Sequence, residues 1–195
     1  MNTIYNHEGE ERQKNGMSSY NRFDVNHVFE KLDLREGHIF LDLGCGAGDF
    51  SIKASSCVGD SGIVYALDQW KEIENRLNNK AKLLGIKNLI ALTADIKDRI
   101  SLDDKTCDVC FICTVIHGID LSKYGENLFK ELHRITKKKG KLAIIEIKKE
   151  ETSFGPPKEI RLSPDELKKI ITEFGFKQNS YTDLDSFYMM QFEAI

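Results

Sequence analysis

The sequence predicts an α/β fold with a mostly parallel sheet, on three observations. Short β-branched runs alternate with amphipathic helical stretches; a glycine cluster, Gly44-Cys45-Gly46-Ala47-Gly48, stands where the first run meets its helix; and the last two apolar runs are joined by a turn too short for a crossover helix, so they pair antiparallel. At 195 residues, with 41% hydrophobic and 30% charged side chains, the chain suits one globular domain. Residues 1–19 read as a polar N-terminal arm and residues 20–195 as the domain. A formal net charge of −3 gives no general attraction to a phosphate backbone, so nucleic acid is a disfavoured partner. No apolar run approaches the roughly 20 residues of a membrane span and the start is polar, so a cytoplasmic protein is expected.

Taken in order, Val25, Val28, Phe29 and Leu32 recur at i, i+3, i+4 and i+7 and predict a helix before the first strand, Ile39–Leu43. A second helix starts at Asp49, and the turn Gly59-Asp60-Ser61-Gly62 leads to a strand over 63–67 that Asp68 ends. Ile73, Leu77 and Leu84 mark a helix stopped by Gly85, and 89–92 is a third strand ending near Asp95. The run 109–116 reads as a fourth strand, buried on both faces. Leu128, Leu132 and Ile135 mark a helix whose end carries Lys137, Lys138 and Lys139, cations that suit a helix C-terminus; 142–147 is the fifth strand. Ser163-Pro164-Asp165-Glu166 is a capping box with proline at the first helical position, ahead of an apolar stripe of Leu167, Ile170, Ile171 and Phe174. The closing pair, 176–181 and 187–195, flanks the turn 182–185.

Five cysteines, an odd number without an export signal, argue for reduced thiols. Cys107-x-x-Cys110-x-x-Cys113 has a spacing that would suit a metal in a loop. On a strand, alternation sends Cys107 and Cys113 to one face and Cys110 to the other, so no metal is expected.

The chemistry concentrates at the glycine cluster. Glycines at alternate positions let the backbone turn tightly out of a strand and let a ligand approach without interference from Cβ, while the helix N-terminus offers free N–H groups. A dinucleotide site would place its third glycine at position 49. Asp49 stands there, and its carboxylate would repel a pyrophosphate but not a ligand carrying an ammonium and a sulfonium. Asp68 ends the second strand about 20 residues after the cluster, where a carboxylate accepts from both hydroxyls of a ribose. As a strand end, it is expected to have no buried partner. Asp95 ends the third strand, on the same edge of the sheet.

Phe40-Leu-Asp-Leu-Gly-Cys-Gly-Ala-Gly-Asp-Phe-Ser51, Ala66-Leu-Asp68 and Thr93-Ala-Asp95 together resemble the successive motifs of class I S-adenosylmethionine-dependent methyltransferases. The likeness is to the small-molecule type of the ubiquinone/menaquinone-biosynthesis group, and it covers about residues 20–195. It implies a Rossmann-like three-layer sandwich with a seven-stranded, mostly parallel sheet and an antiparallel last strand, and S-adenosyl-L-methionine as cofactor. By the same resemblance Gly44, Cys45, Gly46 and Gly48 flank the methionine part, with Asp42 near its ammonium. Asp68 holds the ribose, Gln69 or Trp70 lies against the adenine, and Asp95 with Ile96 meets the adenine edge. The segment from Thr114 to His117 matches the one that passes the sulfonium and faces the acceptor. His117 has two readings, a base or a loop histidine bonded to backbone. Tyr20, Arg22 and Phe23 resemble the start of a cap over the cofactor, or form an ordinary helix lead-in.

Displacement at a sulfonium methyl already has a good leaving group, so alignment and exclusion of water carry most of the work and a base is optional. No Asn/Asp-Pro-Pro-aromatic run and no Pro-Cys pair follows the fourth strand, against base N-methylation and cytosine C5 chemistry. Gly155-Pro156-Pro157 is a candidate lid over the acceptor, or a stiff surface loop. The expected activity is methyl transfer to a small-molecule nucleophile. The alternatives are a methyltransferase acting on protein or RNA through the basic run 137–141 and Lys148-Lys149, and a non-catalytic S-adenosylmethionine-binding protein.

Overall fold

A computed structural model describes residues 18–195; the greater part of the expected arm, residues 1–17, lies outside the described residues. Helix α1 (Val25–Leu32) is opened by Asp24, whose carboxylate accepts from the backbone N–H of Asn26 and His27. Strand β1 (Ile39–Leu43), helix α2 (Asp49–Val58), strand β2 (Ile63–Asp68), helix α3 (Lys71–Leu83) and strand β3 (Leu89–Thr93) form the first half. Strand β4 (Cys107–Cys113), helix α4 (Leu121–Ile135), strand β5 (Thr136–Ile147), helix α5 (Pro164–Thr172) and the hairpin β6 (Phe176–Leu184) and β7 (Phe187–Ala194) form the second.

The seven strands stand in the order β3-β2-β1-β4-β5-β7-β6, and β7 runs antiparallel to both its neighbours, as the sequence implied. Helices α1, α2 and α3 bury Val28, Phe29, Phe50, Ile73 and Leu77 against one face of the sheet. Helices α4 and α5 bury Leu128, Phe129, Leu132, Leu167 and Ile171 against the other. This makes three layers around two cores. From β1 the chain winds outward to β3, then returns to β4 and winds the other way, so β1 and β4 bound the switch point where open parallel sheets take ligands.

Several expectations are corrected. The β4–β5 pairing is irregular between Cys107 and Val109, whose partners are Thr136 and Lys141, so β5 carries the extra length, and the alternation breaks there. Cys107 and Cys110 therefore share the α4 layer while Cys113 faces the other core. All five cysteines are free, and among the described residues no three of the His, Cys, Asp or Glu side chains form a group able to hold a metal. Strand β4 stops at Cys113, because Thr114 takes a left-handed φ of 55° and leads into a tight turn at Ile116–Gly118. The basic run is not a helix end: α4 stops at Ile135, Thr136 begins β5 with its Oγ1 donating to Leu132 O at 2.6 Å, and Lys137 lies within β5 with its Nζ 2.8 Å from Asp108 Oδ2. Leu84 is 59% exposed, and Ala81 takes its place in the buried stripe of α3. The closing turn shrinks to Asp185 and Ser186, with Asp185 at φ 60°, so β6 runs on to Leu184. The capping box forms as expected, Ser163 N donating to Glu166 Oε2 and Glu166 N to Ser163 Oγ. Among the described residues no helix is long and apolar enough to cross a membrane.

Candidate functional site

The C-terminal ends of the parallel strands open onto one cavity of about 750 Å³, a size common for small-molecule sites. Its first wall is backbone. The chain leaves β1 through Gly44, Gly46 and Gly48 at φ 78°, 51° and 76°. A Cβ on Gly44 would stand 2.5 Å from Val115 Cγ2, and one on Gly48 would stand 2.3 Å from Leu77 Cδ1. Gly44 thus lets the segment after β4 come close, and Gly48 lets the loop pack on α3. Gly44 N and Cys45 N donate to Leu67 O at 2.7 and 3.0 Å, tying the loop to β2.

Asp68 completes that tie. Its Oδ2 accepts from Gly46 N at 3.0 Å and its Oδ1 from Trp70 N at 3.2 Å. It is therefore a bridge between two strand ends rather than a strand end without a buried partner. Burial pushes its carboxyl above the usual range, and the backbone N–H groups of Gly46, Trp70 and Gln69 pull it partly back. Gln69, Trp70 and Ile96 stand in the wall beside it.

Other residues singled out from the sequence stand behind the wall. Asp42 is 2% exposed, its Oδ2 accepts from Ser51 Oγ at 2.5 Å, and burial pushes its carboxyl up to about 7. Cys45 is buried, and burial raises its thiol far above the ordinary value. Asp95 accepts from Lys97 N at 3.0 Å and lies 2.9 Å from Lys97 Nζ. Tyr20 packs edge-on against Phe50 with ring centroids 5.0 Å apart, while Ser18, Ser19 and Arg22 reach the cavity. Asp49 lies off the wall with its Oδ1 3.1 Å from Lys80 Nζ. Its charge is countered there, so repulsion by Asp49 is no bar to a pyrophosphate, a correction to the argument from sequence.

The second wall is made of side chains. Thr114 holds its left-handed turn with its N–H on Ile145 O at 2.8 Å, and its hydroxyl lies 3.2 Å from Ser19 Oγ, which is also 3.1 Å from Cys113 Sγ. His117 is in this wall, with Nδ1 2.7 Å from Oε2 of Glu146, a residue 1% exposed near the end of β5. It is thus bonded to a carboxylate, not to backbone through its ring. Phe154, Gly155 and Pro156 line the cavity, Phe154 stacking on Phe187 at 6.0 Å with the Arg22 guanidinium 5.1 Å over its ring. The loop is held from beneath by Arg161, which is 4% exposed. Its Nε donates to Pro156 O, Nη1 to Lys148 O and Glu150 O, and Nη2 to Thr152 Oγ1 and Phe154 O, all between 2.7 and 3.2 Å.

Glu146 and Arg161, which hold parts of this wall from behind, are the residues that sequence reasoning missed. Glu146 carries a signal, since a lone carboxylate within the run Ala143-Ile144-Ile145-Glu146-Ile147 must find buried partners. Arg161 has none, because its partners are four carbonyls and a hydroxyl of a loop whose path no pattern foretells.

Residues 34–188 match a family model described as a methyltransferase domain. The crystal structure of a SAM-dependent methyltransferase from Aquifex aeolicus is similar with a TM-score of 0.84 and 31% identity, over 96% of this chain and 98% of that one. The demethylmenaquinone methyltransferase of Lactobacillus johnsonii is 30% identical over 118 residues, 60% of this chain and 47% of that protein. The ubiquinone/menaquinone biosynthesis C-methyltransferase of Blochmanniella floridana is 29% identical over 120 residues, 61% of this chain and 46% of that protein. The chain spans about half the length of these curated relatives.

Proposed function

The chain belongs to the methyltransferase-domain family, and from that premise we propose that it is an S-adenosylmethionine-dependent enzyme of the cytoplasm that methylates a small-molecule nucleophile. The observation that carries the reading is the meeting, in one cavity, of a glycine wall ending in a carboxylate with a wall holding an oriented imidazole.

The residues present fit the cofactor. Gly46, in the cavity wall at φ 51°, brings bare backbone to the methionine part, while Gly44 packs on Val115 and Cys45 and Gly48 hold that loop from behind. Asp42 supplies negative potential beneath the ammonium when it is ionised, and Arg22, with no carboxylate at ion-pair distance among the described residues, is the complement of the donor's carboxylate. Asp68 accepts from the ribose hydroxyls with its remaining lone pairs, while Gln69 or Trp70 covers the adenine and Ile96, next in the chain to Asp95, meets its edge. Thr114 stands by the sulfonium, and Tyr20 anchors the cap on Phe50. Bound S-adenosyl-L-methionine supplies a methyl group on a good leaving group. The chain's own work is to align the acceptor in line with it and to shut out water, through the 18–22 segment and the loop over Phe154 to Pro156. His117 is the base.

A metabolite library screened for S-adenosylhomocysteine release tests the reading. Release with a small molecule and none with protein or RNA supports it. Release only with protein or RNA overturns the acceptor class, and binding without release in any pool makes the chain a non-catalytic binder.

A further inference from the structure

We propose that Glu146 and His117 form a fixed carboxylate–imidazole pair that removes a proton from the acceptor atom as it is methylated. The acceptor is then a hydroxyl, an N–H or an acidic C–H compound rather than a thioether or tertiary amine, which have no proton to lose. The inference rests on the methyl-transfer reading above and adds to it the class of acceptor and a positioning residue, Glu146.

The geometry decides which nitrogen of His117 is the base. Glu146 Oε1 accepts from Ile116 N at 2.7 Å and from His117 N at 3.4 Å, which locks the carboxylate plane under the turn after β4. Oε2 lies 2.7 Å from His117 Nδ1. An ionised carboxylate only accepts, so the hydrogen sits on Nδ1 and the lone pair is left on Nε2. Among the described residues no group bonds Nε2, and His117 lines the cavity. The ionisable groups around the pair do not compete for Nδ1. Cys113 is engaged by Ser19, the Tyr188 hydroxyl donates to Leu162 O at 2.8 Å, and Asp120 caps α4 through Ser122.

The step balances without another reagent. The acceptor's electron pair forms the new bond to the methyl carbon while the C–S bond breaks with its electrons passing to sulfur. The acceptor's proton moves to Nε2. The resulting imidazolium carries hydrogens on both nitrogens, its charge faced by Glu146, and loses the proton to solvent after product leaves.

The amide isostere separates this role from packing. In Glu146→Gln the two backbone donors keep the amide oxygen at the Oε1 position, so the NH₂ group faces Nδ1. Nδ1 must then accept, and the hydrogen passes to Nε2. We expect ¹⁵N-histidine NMR in mildly alkaline buffer, with the His117 signal assigned by its loss in His117→Gln, to show Nδ1–H in the wild type and Nε2–H in Glu146→Gln. Turnover of an acceptor found by the release screen falls about 100-fold in the same variant. Nε2–H in the wild type, an unchanged tautomer in Glu146→Gln, or equal turnover would overturn the pair. Calorimetry of the wild type with S-adenosylhomocysteine keeps the two claims apart: absence of binding sinks the methyl-transfer reading, whereas binding together with Nε2–H in the wild type sinks only this inference.

Discussion

The glycine wall of the cavity is built from neighbours: the loop 44–48 folds back onto Leu67 and Asp68 through main-chain N–H groups. The histidine wall is gathered from afar, with β5 reaching His117 through Glu146, Arg161 holding the loop after β5, and Ser19 meeting Thr114. Backbone contacts at left-handed glycines leave little freedom for side chains, so the fold fixes the shape of the first wall. Side-chain contacts are exchangeable without moving the sheet, so under the proposed function the second wall is the one able to vary with the acceptor.

Substitutions on the glycine wall should break binding outright. Gly46→Val puts a β-branched residue at φ 51° beside the ligand, and is expected to weaken S-adenosylhomocysteine binding more than about 100-fold in titration calorimetry. A folded variant that binds like the wild type would remove the loop from the site. Asp68→Ala comes next. The carboxylate offers charge-assisted bonds worth roughly 1.5–3 kcal/mol each, partly replaced by water, so affinity should fall by about 2–4 kcal/mol, or roughly 30- to 1,000-fold. Because Gly46 N and Trp70 N also lose their acceptor, the ligand-free protein should lose about 1–2 kcal/mol in denaturant unfolding. Unaltered stability would deny the bridge, and unaltered affinity would put the ribose elsewhere.

The histidine wall should respond in the opposite sense. Arg161→Met removes every anchor that Arg161 gives to the loop 148–156 and should cost about 2–3 kcal/mol of stability, while S-adenosylhomocysteine affinity changes less than about threefold. Equal losses in both would show that the walls are not independent. The smallest effect is expected behind the glycine wall: Asp49→Asn loses only a solvent-screened pair with Lys80, at most about 1 kcal/mol, and gains no NAD binding in the same calorimeter. New NAD binding would restore Asp49 as the discriminating charge.

The same contrast governs what could be read in advance. Gly44, Gly46 and Asp68 were legible because a left-handed turn and a strand-end carboxylate leave local marks, and the capped helix α5 likewise announces itself in Ser163 to Glu166. What was lost depended on local details of pairing and helix ends. The slip between Cys107 and Val109 reverses the face of Cys107, and Thr136 ends α4 just before the lysines. Asp42 and Asp95 were marked by motif, yet whether a marked side chain reaches the cavity depends on partners such as Ser51 and Lys97. Glu146 and His117 are 29 residues apart in the chain, and only the register of β4 against β5 brings them together.

The central claim is that the cavity beside Gly44, Gly46 and Asp68 takes S-adenosylmethionine and not a dinucleotide. Titration calorimetry of the unaltered protein with S-adenosylmethionine, S-adenosylhomocysteine and NAD tests it most directly. One-to-one binding of the first two, with no measurable heat from NAD, is the expected result; NAD binding more tightly than either, or no binding of S-adenosylhomocysteine, would contradict it.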